Sequence, residues 1–168
     1  MIGNIKIIAV CMCKVYDERN YRIIRALNNF AVENDYRLFV YHTCSDLYWK
    51  TLSEKGEQSV FDLIDYNITD AVVTFEEGVY AENVMTKIRM DAAQYGKPVI
   101  SVGVEHDDCI SIKFGYAKGF EQVVRHVIEQ HGVRDIGFIA GRKDEENSEE
   151  RIAVFRKLLE EYDIPFRN

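Results

Sequence analysis

Three places in the chain gather side chains able to grip a small polar ligand. Arg151 stands in Ser148-Glu-Glu-Arg-Ile-Ala-Val-Phe155, shortly after the apolar run Ile136–Ala140 and Gly141. Its planar guanidinium suits the paired oxygens of a sugar, purine or carboxylate. Lys113 and Phe114 close another apolar run and set a cation beside an aromatic ring. Between the first run and its following helix, Tyr16 and Tyr21 could stack on a flat ligand and Asp17 could accept from it; Phe75 ends the third run. Each also has a plain structural reading. Arg151 would pair with Glu146 or Glu150, Lys113 would point to solvent at a hinge, Tyr21 would pack in its helix and Asp17 would cap it.

Other chemistry finds less support. Cys11, Cys13, Cys44 and His42 fall near one sheet edge, but no C-x-x-C or H-x-x-x-H spacing occurs, so packing is the expected role of the cysteines. His106-Asp107-Asp108 reads as a solvated turn, and Glu76-Glu77 as adjacent carboxylates without a visible partner. No G-x-G-x-x-G or P-loop pattern is present, and no cofactor is implied. A flavodoxin-like or nucleotide-binding α/β enzyme is the alternative of another class.

Alternating strand and helix patterns must position these groups. Ile5–Cys11 reads as a strand buried on both faces, and Ile23, Ala26, Leu27, Phe30 and Ala31 mark a helical face. Tyr36–His42, Ala71–Phe75, Lys97–Val102, Cys109–Phe114 and Ile136–Ala140 read as five more strands. Val60, Leu63 and Ile64 mark a second helix. Ala81, Val84, Met85, Ile88 and Ala92 mark a third, capped by Gly96. Ala117, Phe120, Val124, Val127 and Ile128 stripe a fourth, closed by Gly132, and Ile152, Phe155, Leu159 and Tyr162 a last one. Such alternation predicts an α/β fold with a doubly wound parallel sheet.

The 168 residues carry a net charge of −7, which disfavours direct nucleic-acid contact by this segment. No apolar run approaches a membrane span, the start lacks signal-peptide order, and four cysteines are no disulfide scaffold. A cytoplasmic protein without membrane contact is expected.

The stretch from Asp135-Ile-Gly-Phe-Ile-Ala-Gly141 through Arg151 to Tyr162-Asp-Ile-Pro165 resembles the middle of LacI/GalR-type effector-binding domains, relatives of periplasmic binding proteins. Lys6-Ile-Ile-Ala-Val10, Leu27…Ala31-x-Glu33-x-x-Tyr36-x-Leu38, Asp70-Ala-Val-Val73 and Gly96-Lys-Pro-Val-Ile100 match the scaffold of that family. The resemblance implies a type-1 periplasmic-binding fold, homodimerisation, and a small-molecule effector that closes two lobes to control an attached output domain. It also implies no catalytic role for this segment. Residues 1–114 would be a complete lobe and 115–168 the start of a second.

Arg151 aligns with an arginine that typically contacts effector polar groups, and the 14–21 loop with the first ligand-contacting loop. Lys113-Phe114 stands where the family commonly has Asp-Asn, which favours an anionic or aromatic ligand over a neutral sugar. Gly56-Glu-Gln-Ser-Val-Phe-Asp-Leu-Ile64 is similar to sensor regions preceding diguanylate-cyclase (GGDEF) domains. With a native Met1, the strand at Ile5 leaves no room for a preceding helix-turn-helix, so a cyclase-type output is the first expectation and a LacI-family transcriptional regulator the second. One apolar strand after residue 114 cannot form a sheet alone. The chain is therefore a fragment, or Ile136–Ala140 joins the first sheet, or a second copy supplies an edge.

Overall fold

The computed structural model describes residues 5–141, 143 and 145–166. The chain divides into two compact units, Met1–Lys113 and Phe114–Asn168.

In the first unit, β1 (Lys6–Cys13), β2 (Tyr36–Thr43), β3 (Ala71–Phe75), β4 (Val99–Val102) and β5 (Ile110–Ile112) form one parallel sheet ordered β2-β1-β3-β4-β5. Central β1 hides Ala9, Val10, Cys11 and Met12 completely, so both its faces are covered, as its unbroken apolar run demands. The chain moves one way from β1 to β2 and the other way to β3. Right-handed crossovers therefore put α1 (Glu18–Glu33) on one face and α2 (Leu52–Gln58) with α3 (Glu82–Gln94) on the other.

The face under α3 is the core of this unit: Ala9, Cys11 and Val72 from the sheet meet Met85, Ile88 and Ala92 of α3, with Leu47 and Phe61 beside them. On α1 only Ala31 is buried, while Phe30 and Val32 remain largely exposed. Gly96, at φ +64, lets Lys97 N donate to Ala92 O and closes α3.

The expected second helix is displaced. Thr51 and Glu54 form a reciprocal capping box that starts α2 at Leu52, and Val60 and Leu63 fall in a 3₁₀ turn (Ser59–Leu63) that follows it. Ile64 lies beyond that turn and is buried, whereas Leu63 is exposed.

In the second unit, α4 (Tyr116–His131) and α5 (Glu146–Glu161) pack through Val124, Ile128, Phe155, Leu158 and Leu159. Phe138 wedges between Phe120 and Phe155, at ring separations of 5.0 and 5.1 Å. Arg125 on α4 grips both carboxylate oxygens of Glu161 on α5, at 2.6 and 2.7 Å. The expected strand Ile136–Ala140 is not a strand: it belongs to no ladder, and Ile139 is 97% exposed. Apolar, β-prone sequence does not make a strand without a neighbour to take its backbone bonds. A groove of about 420 Å³ lies along this segment, floored by Ile152, Phe155 and Leu159. Asp163, at φ +54, turns the chain out of α5 and lets Ile164 N bond Leu159 O, so the stop precedes Pro165.

No described helix is long and apolar enough to cross a membrane.

Candidate functional site

Because β2 and β3 flank β1, the chain reverses its direction of travel across the sheet between β1 and β3. Loops leaving the carboxyl ends of those strands diverge there and leave a crevice. The loop after β1 holds Lys14, Tyr16 and Asp17; the loop after β3 holds Glu76, Glu77 and Gly78.

Ion pairs tie these loops together. Arg19 reaches Glu77 across the switch point at 2.6 Å. Lys14, held at φ +48, donates its backbone N–H to Thr43 O and its ammonium to Asp46 at 2.8 Å. That hydrogen bond raises the Lys14 pKa and lowers that of Asp46. Tyr80 N then donates to Asp46 O, linking the β3 loop to the β2 loop. Glu57 braces the β2 loop by accepting from Cys44 N, Ser45 N and Ser45 Oγ. Glu57 of the Gly56–Ile64 pattern thus has a structural role.

Behind the edge lies a buried polar network that the sequence reading missed. Glu76, only 7% exposed, accepts from Thr74 Oγ1 at 2.7 Å and from Arg89 Nη1 at 2.9 and 3.0 Å. His106 Nε2 lies 2.9 Å from its other oxygen. His106 is half-buried, which corrects its reading as part of a solvated turn: a buried carboxylate draws the ring inward. Arg89 Nε has no hydrogen-bond partner, and the Asp108 carboxylate stands 3.6 Å from it. A signal for this network was present, since Arg89 shares the apolar face of Met85, Ile88 and Ala92, where a cation needs an acid. Gly103, at φ +102, sits where a Cβ would come 2.6 Å from Glu77 Cβ. Only glycine lets the turn after β4 approach the β3 loop so closely.

The first unit brings five expected residues to this edge. Tyr16 is 73% exposed and its ring meets His42 edge-on at 5.3 Å. Asp17 holds the N-cap position of α1, but its side chain makes no capping bond, a correction to the expected cap. Tyr21 is exposed on the first turns of α1, so it does not pack in the helix. Phe75 ends β3 half-buried, in register with Val102. Lys113 follows β5 with its ammonium 3.6 Å from Glu105.

Phe114 and Arg151 belong to the second unit. Phe114 tilts against Tyr116 at 5.9 Å, and Arg151 Nε donates to Asn147 O at 2.9 Å. The serine ahead of Arg151 has a structural role. Ser148 is fully buried, its hydroxyl bonds Glu145, and Gly141 passes so close that a Cβ there would lie 2.1 Å from the hydroxyl oxygen.

Burial makes Cys11 and Cys13 poor ligands. It pushes the Cys11 thiol far up and that of Cys13 up to about 11. No group of three or more potential metal ligands occurs among the described residues.

No family model and no curated protein sequence matches the chain. Solved structures do resemble it. The transcription regulator CcpA of Lactococcus lactis superposes with TM-score 0.70 at 21% identity, over 97% of this chain and 56% of that one. A periplasmic binding protein/LacI transcriptional regulator from Alkaliphilus metalliredigens, complexed with D-xylulofuranose, gives 0.66 at 18%, over 95% and 54%. The lac repressor dimer bound to operator and an anti-inducer gives 0.64 at 15%, over 97% and 54%. The chain thus spans little more than half the length of these structures. Five parallel strands in this order, with helices on both faces, carry the likeness, and the chain has the fold of LacI-type, periplasmic-binding-protein-like domains.

Proposed function

We propose that this chain is part of a small-molecule-sensing regulatory domain. Its carboxyl edge would bind an effector that closes two lobes and shifts an attached output domain between states. Residues 1–114 act as the first lobe and 115–168 as the start of the second. The carrying observation is the β1–β3 switch point, lined by the exposed ring of Tyr16 and by charged loops locked to one another. In this reading Tyr16, Asp17, Tyr21 and Phe75 contact the flat part of the ligand. Lys113, Phe114 and Arg151 receive its anionic or aromatic end, which favours a carboxylated or phosphorylated aromatic compound over a neutral sugar. The segment itself catalyses nothing and works in the cytoplasm.

Transcriptional control is the favoured output, because several structures that share the fold are described as transcription regulators. The Gly56–Ile64 pattern lends a cyclase output no separate support, since Glu57 is occupied in bracing the β2 loop. Homodimerisation is supported by Phe30 and Val32, which α1 leaves exposed on an otherwise amphipathic helix.

A thermal-shift screen of sugars, nucleotides, amino acids and aromatic acids against the full-length protein tests the reading. A ligand at about 100 times its dissociation constant adds about 2.7 kcal/mol of stability. Arg151→Ala and Lys113→Ala should abolish the shift for an anionic hit. A hit unaffected by either, or none from any class, would remove the proposal. Sedimentation of the same protein as a strict monomer would remove the homodimer.

A further inference from the structure

We infer that the end of α4 carries a two-histidine site for a divalent first-row transition ion of the zinc or nickel type. His126 and His131 are both exposed, and their Nε2 atoms lie 3.1 Å apart. Two imidazoles on one ion, with metal–nitrogen bonds of about 2.0–2.1 Å, hold their nitrogens roughly 2.9–3.4 Å apart for bond angles between octahedral and tetrahedral. The ring centroids are 4.9 Å apart with planes at 76°. A straight N–H···N contact of this length would put the centroids roughly 5.4 Å apart, whereas rings bent toward a shared ion give about 4.9 Å.

Histidines five residues apart stand about 140° apart round a regular α-helix, so these two meet through the reach of their side chains round the last turn. At the end of α4 the Gly132 N–H bonds Val127 O, five residues back, and Val133 N reaches the same carbonyl at 3.4 Å. That π-type bond closes the chain from Val127 to Gly132, just past the α-helical span that carries both histidines. Gly132 takes φ +64 to permit it.

Without metal, one ring must donate and the other accept, so a single proton is shared between two acceptor-capable nitrogens. When a divalent ion binds, the donor ring carries its proton on Nδ1 instead, so no proton is released and both Nε2 lone pairs face the ion. The negative end of the helix dipole favours a cation at this terminus. Imidazole ligation selects zinc, nickel or copper over magnesium or calcium. With no third protein ligand among the described residues, water fills the remaining positions and the site stays open.

Nickel titration of the full chain tests this, followed by calorimetry and by paramagnetic broadening of the histidine ring signals. The expected result is saturable one-to-one binding that broadens His126 and His131 together, ahead of His42 and His106. His126→Ala and His131→Ala should each weaken binding about 10-fold or more, with circular dichroism unchanged. Binding that survives both substitutions, broadening centred elsewhere, or no saturation at millimolar nickel would overturn the site. Should an alanine variant misfold, the broadening pattern in the unaltered chain decides alone.

Discussion

The two units answer the same kind of sequence in opposite ways. Lys6–Cys13 and Asp135–Gly141 both contain apolar, β-prone runs. The first becomes a central strand with a partner on each side; the second lies along α5 without a ladder, with Ile139 almost wholly exposed. Side-chain pattern is the same currency in both cases, but backbone pairing needs a neighbouring strand. The first unit can also bury a polar network, because its sheet supplies a closed wall behind Glu76. The second rests on rings and an exposed arginine–glutamate clamp.

The sharpest way to break this contrast is Glu76→Ala, which strands the Arg89 guanidinium in the core. It should cost the first unit about 3–5 kcal/mol in urea unfolding. A loss near zero would mean that the network is not buried in solution.

Phe155→Ala removes the ring that packs against Phe138 and should cost the second unit about 3–5 kcal/mol. Hydrogen exchange should place that loss in α4 and α5 while β1 and β3 keep their protection. Equal loss of protection in the sheet would show that the units unfold as one.

Gly103→Ala forces a side chain into a left-handed position against Glu77 and should cost about 1–3 kcal/mol, read as a lowered denaturation midpoint.

Alkali should act through the first unit. Burial holds the Cys13 thiol at about 11 against an ordinary 9.0, with Cys11 displaced further the same way. The fold favours the neutral thiols, so their contribution is complete below pH 9.0 and falls as pH rises toward and past 11. Denaturant midpoints taken at about pH 8 and about pH 10 should decline, and Cys13→Ala should flatten part of the slope.

The smallest effect compares two helix starts. Thr51→Ala breaks a capping box and should cost about 1 kcal/mol. Asp17→Ala, at an N-cap without a side-chain bond, should stay within about 0.5 kcal/mol by thermal unfolding.

Much of the first unit was legible in the chain, since all five of its strands and Gly96 behave as their neighbours in sequence demand, and in the second unit Gly132 does the same. The second helix was misplaced because the apolar stripe at Val60–Ile64 outweighed a local capping signal at Thr51 and Glu54. Of the candidate site, the exposed aromatic and basic residues were readable one by one. Arg89 on an apolar helix face signalled a buried acid, but its partners were not readable, because Glu76 lies 13 residues from Arg89 and 30 from His106 and only the sheet brings them together.

The sequence by itself determined the alternation of elements and the α/β class, because periodicity and turn chemistry are local properties of the chain. Tertiary structure alone decided which strands neighbour which, where the switch point falls and which charges meet. Those depend on contacts between residues far apart in sequence, and no local pattern encodes whether a strand will find a partner.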